Sequence, residues 1–219
     1  MRIVGRDDLA AAGLDLSRLV HDILELDHRV YAQTSHGHIG AYAQWRPVFE
    51  RHPDSWRAVL DRSGRLVAYW QTAALRRDLF DKARRGLLNP CDLSNLDYRS
   101  LDKPGDYSMY LVSICVDPAH RNLHTQMAVV ESFFRVAEQL ATRDVFFEDV
   151  AAVAHSDQGR QTCVAFGMAF TGAARGHGAC FEGRLASMID RNRFRLRRRF
   201  PRLVAAYEAR ERRRSTVAV

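Results

Sequence analysis

No stretch of the sequence comes near the ~20 consecutive apolar residues that span a bilayer. This excludes a transmembrane helix as the organising element. The opening residues, MRIVGRDDLAAAG, carry Asp7 and Asp8 and have no long apolar core, so they do not read as a secretory leader. Cysteine is sparse: Cys91, Cys115, Cys163 and Cys180 occur singly, with no CxxC pair. That argues against a disulfide scaffold or a zinc ribbon and for reduced thiols in a cytoplasmic protein. There is no internal repeat and no low-complexity segment apart from one arginine cluster. What is present is an ordinary globular balance, with 47% hydrophobic and 27% charged residues over 219 positions. A chain of that length buries roughly 70% of its unfolded surface, enough for a substantial core.

The charge is concentrated at one end. Residues 191–219 hold eleven arginines against Glu208 and Glu211, a local charge of +9 out of a total of +7, so residues 1–190 sit near −2. The high pI of about 9.6 therefore belongs to a C-terminal segment, not to the whole surface. We read 1–190 as the folded domain and 191–219 as an arginine-rich tail, helical or partly disordered. Such a tail can meet an acidic partner: a membrane surface, a nucleic acid or an acidic protein.

Hydrophobic periodicity supplies the elements. Leu16, Leu19, Val20, Ile23, Leu24, Leu26 and Val30 recur at helical spacing over 16–32, with Asp15 or Ser17 placed to cap. The stretch 33–55 reads as irregular. Strands near Trp56–Leu60 and Arg65–Ala74 flank a turn at Asp61–Gly64. Residues 76–106 read as a short helix and a long loop, the kind that is often functional. YSMYLVSICV (Tyr107–Val116) has the pattern of a buried strand stopped by Asp117-Pro118. It is followed by a helix over Gln126–Leu140, a strand over Asp144–Ala154, a short helix over Gly159–Phe166 and strands at Met168–Gly172 and Ala179–Leu185. Phe200–Arg214 reads as a basic terminal helix. A strand–helix–strand unit between flanking hairpins predicts a mixed sheet of α/β (α+β) class with helices on both faces.

Three features between Tyr107 and Met168 resemble the GCN5-related N-acetyltransferase (GNAT) superfamily. The central strand ends in Val116-Asp117-Pro118-Ala119-His120-Arg121, similar to V-x-P-x-x-R. Arg121–Gln126 stands where that family has R/Q-x-x-G-x-G/A before a long helix, with His124 and Gln126 replacing both glycines. Ser156–Met168 follows the spacing N-x-x-A-x-x-x-Y-x-x-x-G-F, with Ser156, Cys163 and Met168 for Asn, Tyr and Phe. The resemblance implies a mostly antiparallel sheet with a central splayed parallel pair. It also implies an acyl-CoA co-substrate such as acetyl-CoA, no metal, and transfer of the acyl group to a primary amine of a small molecule or protein.

Carried over residue by residue, the resemblance implies that the pantetheine arm lies along Ile114, Cys115 and Val116. The phosphates would lie over Arg121, Asn122, His124, Thr125 and Gln126, with Ser156 beside them. Arg121 and His124 offer charge where glycines would offer close backbone approach. The bland reading of the same residues is a strand stop at Asp117-Pro118 and a helix cap at Asn122. Cys163 stands where the family has a proton-donating Tyr; the alternative is a small buried side chain. Glu148, inside VFFEDVA, is the candidate general base, with His155 as second choice, and either one equally reads as a surface group. Aromatics within 31–49 can line an acceptor pocket. The pairs His36/His38 and His120/His124 lack a third ligand at a recognisable spacing, so no metal site is expected. Two alternatives accompany this reading. In one, a long acyl chain comes from an acyl carrier protein drawn by the arginine tail. In the other, the fold binds without catalysis.

Overall fold

The computed structural model describes residues 1–31, 40–175, 178–192 and 194–217. The strands are β1 (Arg2–Val4), β2 (Trp56–Leu60), β3 (Leu66–Leu75), β4 (Gly105–Val116), β5 (Val145–Ala154), β6 (Ala169–Ala173) and β7 (Ala179–Arg184). The helices are α1 (Leu16–Tyr31), α2 (Tyr42–Arg51), α3 (Arg77–Arg84), α4 (Leu123–Ala141), α5 (Asp157–Ala165), α6 (Leu185–Arg191), α7 (Leu196–Arg199) and α8 (Pro201–Val217). Among the described residues no helix is long and apolar enough to cross a membrane.

The seven strands form one sheet in the order β1-β2-β3-β4-β5-β7-β6. Every neighbouring pair is antiparallel except β4 and β5, which are parallel. This is the mixed sheet with one central parallel pair that the sequence predicts. One core cluster packs α4, α6, α7 and α8 on one face, centred on Trp70, Phe134, Leu140 and Leu185. The other packs α1, α2 and α3 on the opposite face, around Leu19, Phe49, Trp56 and Tyr69. The Trp70 indole donates to the Ser132 hydroxyl at 2.8 Å, tying β3 to α4 without leaving a buried donor unpaired.

Two elements differ from the sequence expectation. The stretch read as irregular over 33–55 contains α2, which holds Pro47 in its interior. An interior proline usually costs ~3 kcal/mol; here burial of Trp45, Val48 and Phe49 overrides the local preference. Positions 33–39 of that reading, including His36 and His38, lie outside the described residues. The arginine-rich segment, second, is helical as one reading had it, but it packs onto the domain instead of standing apart as a tail. Leu196, Phe200, Leu203 and Tyr207 join the main core, and the Tyr207 hydroxyl donates to the Phe147 carbonyl at 2.8 Å.

One end of the β4–β5 pair is clamped by that segment. Arg210 donates through Nε to Asp106 at 2.6 Å and through Nη2 to Glu148 at 3.3 Å. Arg214 bonds both Glu148 oxygens, at 2.6 and 2.9 Å, and also Asp106, and Arg184 adds a bond to Glu148 at 2.9 Å. At the other end the strands part.

Candidate active site

The β4–β5 register runs from Gly105↔Val145 to Leu111↔Ala152 and stops there. Beyond it β4 continues with β3, and β5 continues with β7. A cavity of about 650 Å³ opens through this gap and reaches both faces of the sheet. Asp117 N–H donates to the Val67 carbonyl at 2.8 Å. Alternation along an antiparallel pair then turns the main-chain groups of Ile114 and Val116 away from β3 and into the gap. The Ile114 carbonyl accepts from the Tyr31 hydroxyl at 3.1 Å, and the Val116 carbonyl from Arg121 Nε at 3.4 Å.

On the α4 side, Arg121, Leu123, Gln126, Ser156, Cys163, Arg195 and Arg199 line the cavity. The N-terminus of α4 points its free N–H groups at this region, which favours an anion. Asn122 caps that helix, its Oδ1 accepting from Thr125 N–H at 3.0 Å, and Ser156 caps α5 through Gly159 N–H at 3.1 Å. Arg195 enters α7 with φ of 55°, a left-handed conformation that a non-glycine residue rarely adopts.

On the opposite face, Ile23, Asp27, Val30 and Tyr31 of α1, Trp45 and Phe49 of α2, Tyr69 and Gln71 of β3, and Tyr110 of β4 complete the wall. Both oxygens of Asp27 accept the Tyr69 hydroxyl at 2.7 Å, and the Cys115 thiol lies in the same group. Burial, only partly opposed by these hydrogen bonds, pushes the Asp27 carboxyl up to about 7. The same burial, with the neighbouring acid, pushes the phenols of Tyr31 and Tyr69 and the thiol of Cys115 upward, so all three stay protonated.

Of the residues expected from sequence, Ile114, Val116, Arg121, Gln126, Ser156 and Cys163 meet at one cavity, and His155 lines it too. Cys115 turns its side chain to the Asp27 face. Asn122 and Thr125 are occupied with each other as the helix cap, and His124 is exposed. The Cys163 thiol is pushed up to about 12 by burial; it stays neutral and is a weak proton donor to a thiolate. Glu148 is a correction. It belongs to the arginine clamp and does not line the cavity. Its arginine hydrogen bonds hold the carboxyl at about 2, so it has no affinity for a proton near neutral pH.

Asp27 is the residue that sequence reasoning missed. Val20, Ile23, Asp27 and Val30 fall on one helical face, so a carboxylate interrupts the apolar stripe of α1. That interruption was a usable signal.

No family model matches the sequence, and no curated protein matches it. Solved structures match in fold. A GphF GNAT-like decarboxylase in complex with isobutyryl-CoA superimposes with a TM-score of 0.55 at 14% identity, over 84% of this chain and 100% of that one. The NatB acetyltransferase complex bound to a bisubstrate inhibitor gives 0.52 at 9%, over 84% and 91%. A GNAT superfamily phosphinothricin acetyltransferase from Sinorhizobium meliloti in complex with acetyl-CoA gives 0.50 at 12%, over 84% and 88%. The chain therefore has the GNAT fold, and the parting of β4 from β5 is the part of it that makes the cavity.

Proposed function

We infer that the protein is an N-acyltransferase that moves an acyl group from an acyl-CoA thioester to a primary amine. The observation that carries the reading is the cavity through the β4–β5 gap. One mouth has arginines and a helix N-terminus, and the other has a carboxylate among aromatics. Two of the solved structures sharing the fold are complexes with a CoA thioester.

The residues present fit such a co-substrate. Its thioester would supply the activated acyl group, and Arg121, Arg195, Arg199 and the first turn of α4 would hold its phosphates. Both loop glycines are absent, and the charge on these side chains takes over part of what close backbone approach would give. The N–H groups of Ile114 and Val116 point into the gap, where they can polarise a thioester carbonyl. Asp27 accepts the proton that an incoming ammonium must lose before its nitrogen has a free pair. In the overall exchange the N–C bond forms, the C–S bond breaks, and the second amine proton leaves with the thiol. Cys163 fills space in the cavity wall, and water relays that proton from the amine nitrogen to the departing thiolate.

A phosphopantetheine arm carried by an acidic acyl carrier protein would enter by the same mouth, and the exposed arginines of α7 and α8 favour that donor. Incubation with acetyl-CoA, longer acyl-CoAs or acyl carrier protein and a panel of primary amines, followed by thiol release, tests the reading. Release dependent on the amine is expected. Binding of the donor without turnover of any amine would leave a non-catalytic binding protein. Binding of neither donor by the folded protein would refute both readings.

A further inference from the structure

The acceptor side of the cavity has an unbalanced charge. Among the described residues that line the cavity, Asp27 is the only Asp or Glu. Among the described residues no Lys, Arg or His comes within ion-pair distance of it. The groups that meet it are the Tyr69 hydroxyl and the Cys115 thiol, both neutral. A half-buried carboxylate without a cation is costly in a protein interior and is normally paired. Around it stand the rings of Tyr31, Trp45, Phe49, Tyr69 and Tyr110. Among the described residues, the wall built by α1, α2 and β3 thus has one anion, aromatic faces and no cation.

Resting on the acyltransferase reading, we propose that the acceptor is an amine with an apolar, ring-sized body and no carboxylate, whose ammonium pairs with Asp27 and whose body lies against these aromatics. The ammonium supplies the missing counter-charge. Its approach to aromatic faces adds cation–π attraction. An α-amino acid would bring the same ammonium, but its carboxylate would face Asp27 and tyrosines, with no guanidinium among the described residues of that wall. Like charge in a poorly solvated site is a strong means of rejection. The arginines that do line the cavity come from the loop before α4 and from around α7, at the mouth assigned to phosphates. The two ends therefore sort an anionic donor from a cationic acceptor.

The test separates acceptor binding from transfer. Calorimetry on the full chain without any donor uses 2-phenylethylamine, phenylalanine and 3-phenylpropionate as probes. The amine is expected to bind at least tenfold more tightly than phenylalanine, and phenylpropionate not measurably. Asp27→Asn, close in shape and free of the buried charge, should lose at least tenfold for the amine while keeping its affinity for CoA. Equal or tighter binding of phenylalanine to the wild-type protein would overturn the proposal, as would an unchanged amine affinity in folded Asp27→Asn. Failure to bind CoA would instead count against the acyltransferase reading and leave the acceptor result standing.

Discussion

Replacing Glu148 with Gln distinguishes a structural carboxylate from a catalytic one. In the folded protein Glu148 accepts hydrogen bonds from Arg184, Arg210 and Arg214, and these hold its carboxyl at about 2 against an ordinary 4.5. Each pH unit of such a difference is worth about 1.4 kcal/mol, which sets an upper bound of about 3 kcal/mol. The side chain is 25% exposed, and those of Arg184 and Arg214 are 53% and 39% exposed. Solvent screening therefore brings the expected contribution to about 2 kcal/mol. Because the folded-state pKa is depressed, this stabilisation is complete above about pH 4.5 and fades as the pH falls towards 2. Glu148→Gln should thus unfold at lower urea than wild type at pH 7, by about 2 kcal/mol after extrapolation. The gap should narrow steadily between pH 5 and pH 3. Turnover per folded molecule should not change. A variant as stable as wild type at pH 7, or a gap that persists on acidification, would refute the electrostatic account. Lost kcat with an intact fold would restore Glu148 to the chemistry.

Other outcomes follow from the same coordinates. Asp27 has the opposite sign: its pKa is raised, so its ionisation costs stability as the pH climbs from about 4 through 7. Asp27→Asn should therefore melt higher than wild type at pH 8 and equally at pH 4, yet lose at least ~10²-fold in kcat as a removed base would. The groups facing Asp27 (Tyr31, Tyr69 and Cys115) stay neutral over this range, so the rise of wild-type activity through pH 7 should vanish with that variant. Cys163→Ala should cost roughly 1 kcal/mol of stability and leave kcat largely intact, read by steady-state kinetics beside circular dichroism. Arg121→Ala with Arg195→Ala should weaken CoA binding at least tenfold in calorimetry at low salt, with a smaller loss at high salt.

The sheet and the cavity were legible in the sequence to different degrees. The strand Tyr107–Val116, the helix after it and the strand ending at Ala154 announce themselves, because long apolar runs alternate with clear stops. The parallel pair follows from their order. The helix around Trp45 did not, because Pro47 and polar neighbours argue locally against it and only distant packing reverses the balance. Glu148 and Asp27 changed places for a related reason. Glu148 sits in an apolar run and Asp27 on the apolar face of a helix, and periodicity tells which face a residue takes but not which end of a strand or what stands across from it. The arginines that hold Glu148 are 36, 62 and 66 residues away, beyond any local pattern. Of the three arginines at the cavity mouth, Arg195 and Arg199 lie in the segment read as a tail. Their position depends on Leu196 and Phe200 seating in the core.

The clamp at the base of β4 and β5 has a mechanical consequence. Two strands pinned together at one end and parted at the other behave like the prongs of a fork. Any loosening at the root is magnified as a change of spacing at the tips. Helix α8 grips the root, through Arg210 and Arg214 on Asp106 and Glu148, while the proposed substrates would lie between the tips. The width of the active gap is thus set from the far end of the molecule by the last residues of the chain. Removal of both arginines would therefore be felt at the gap as well as in stability.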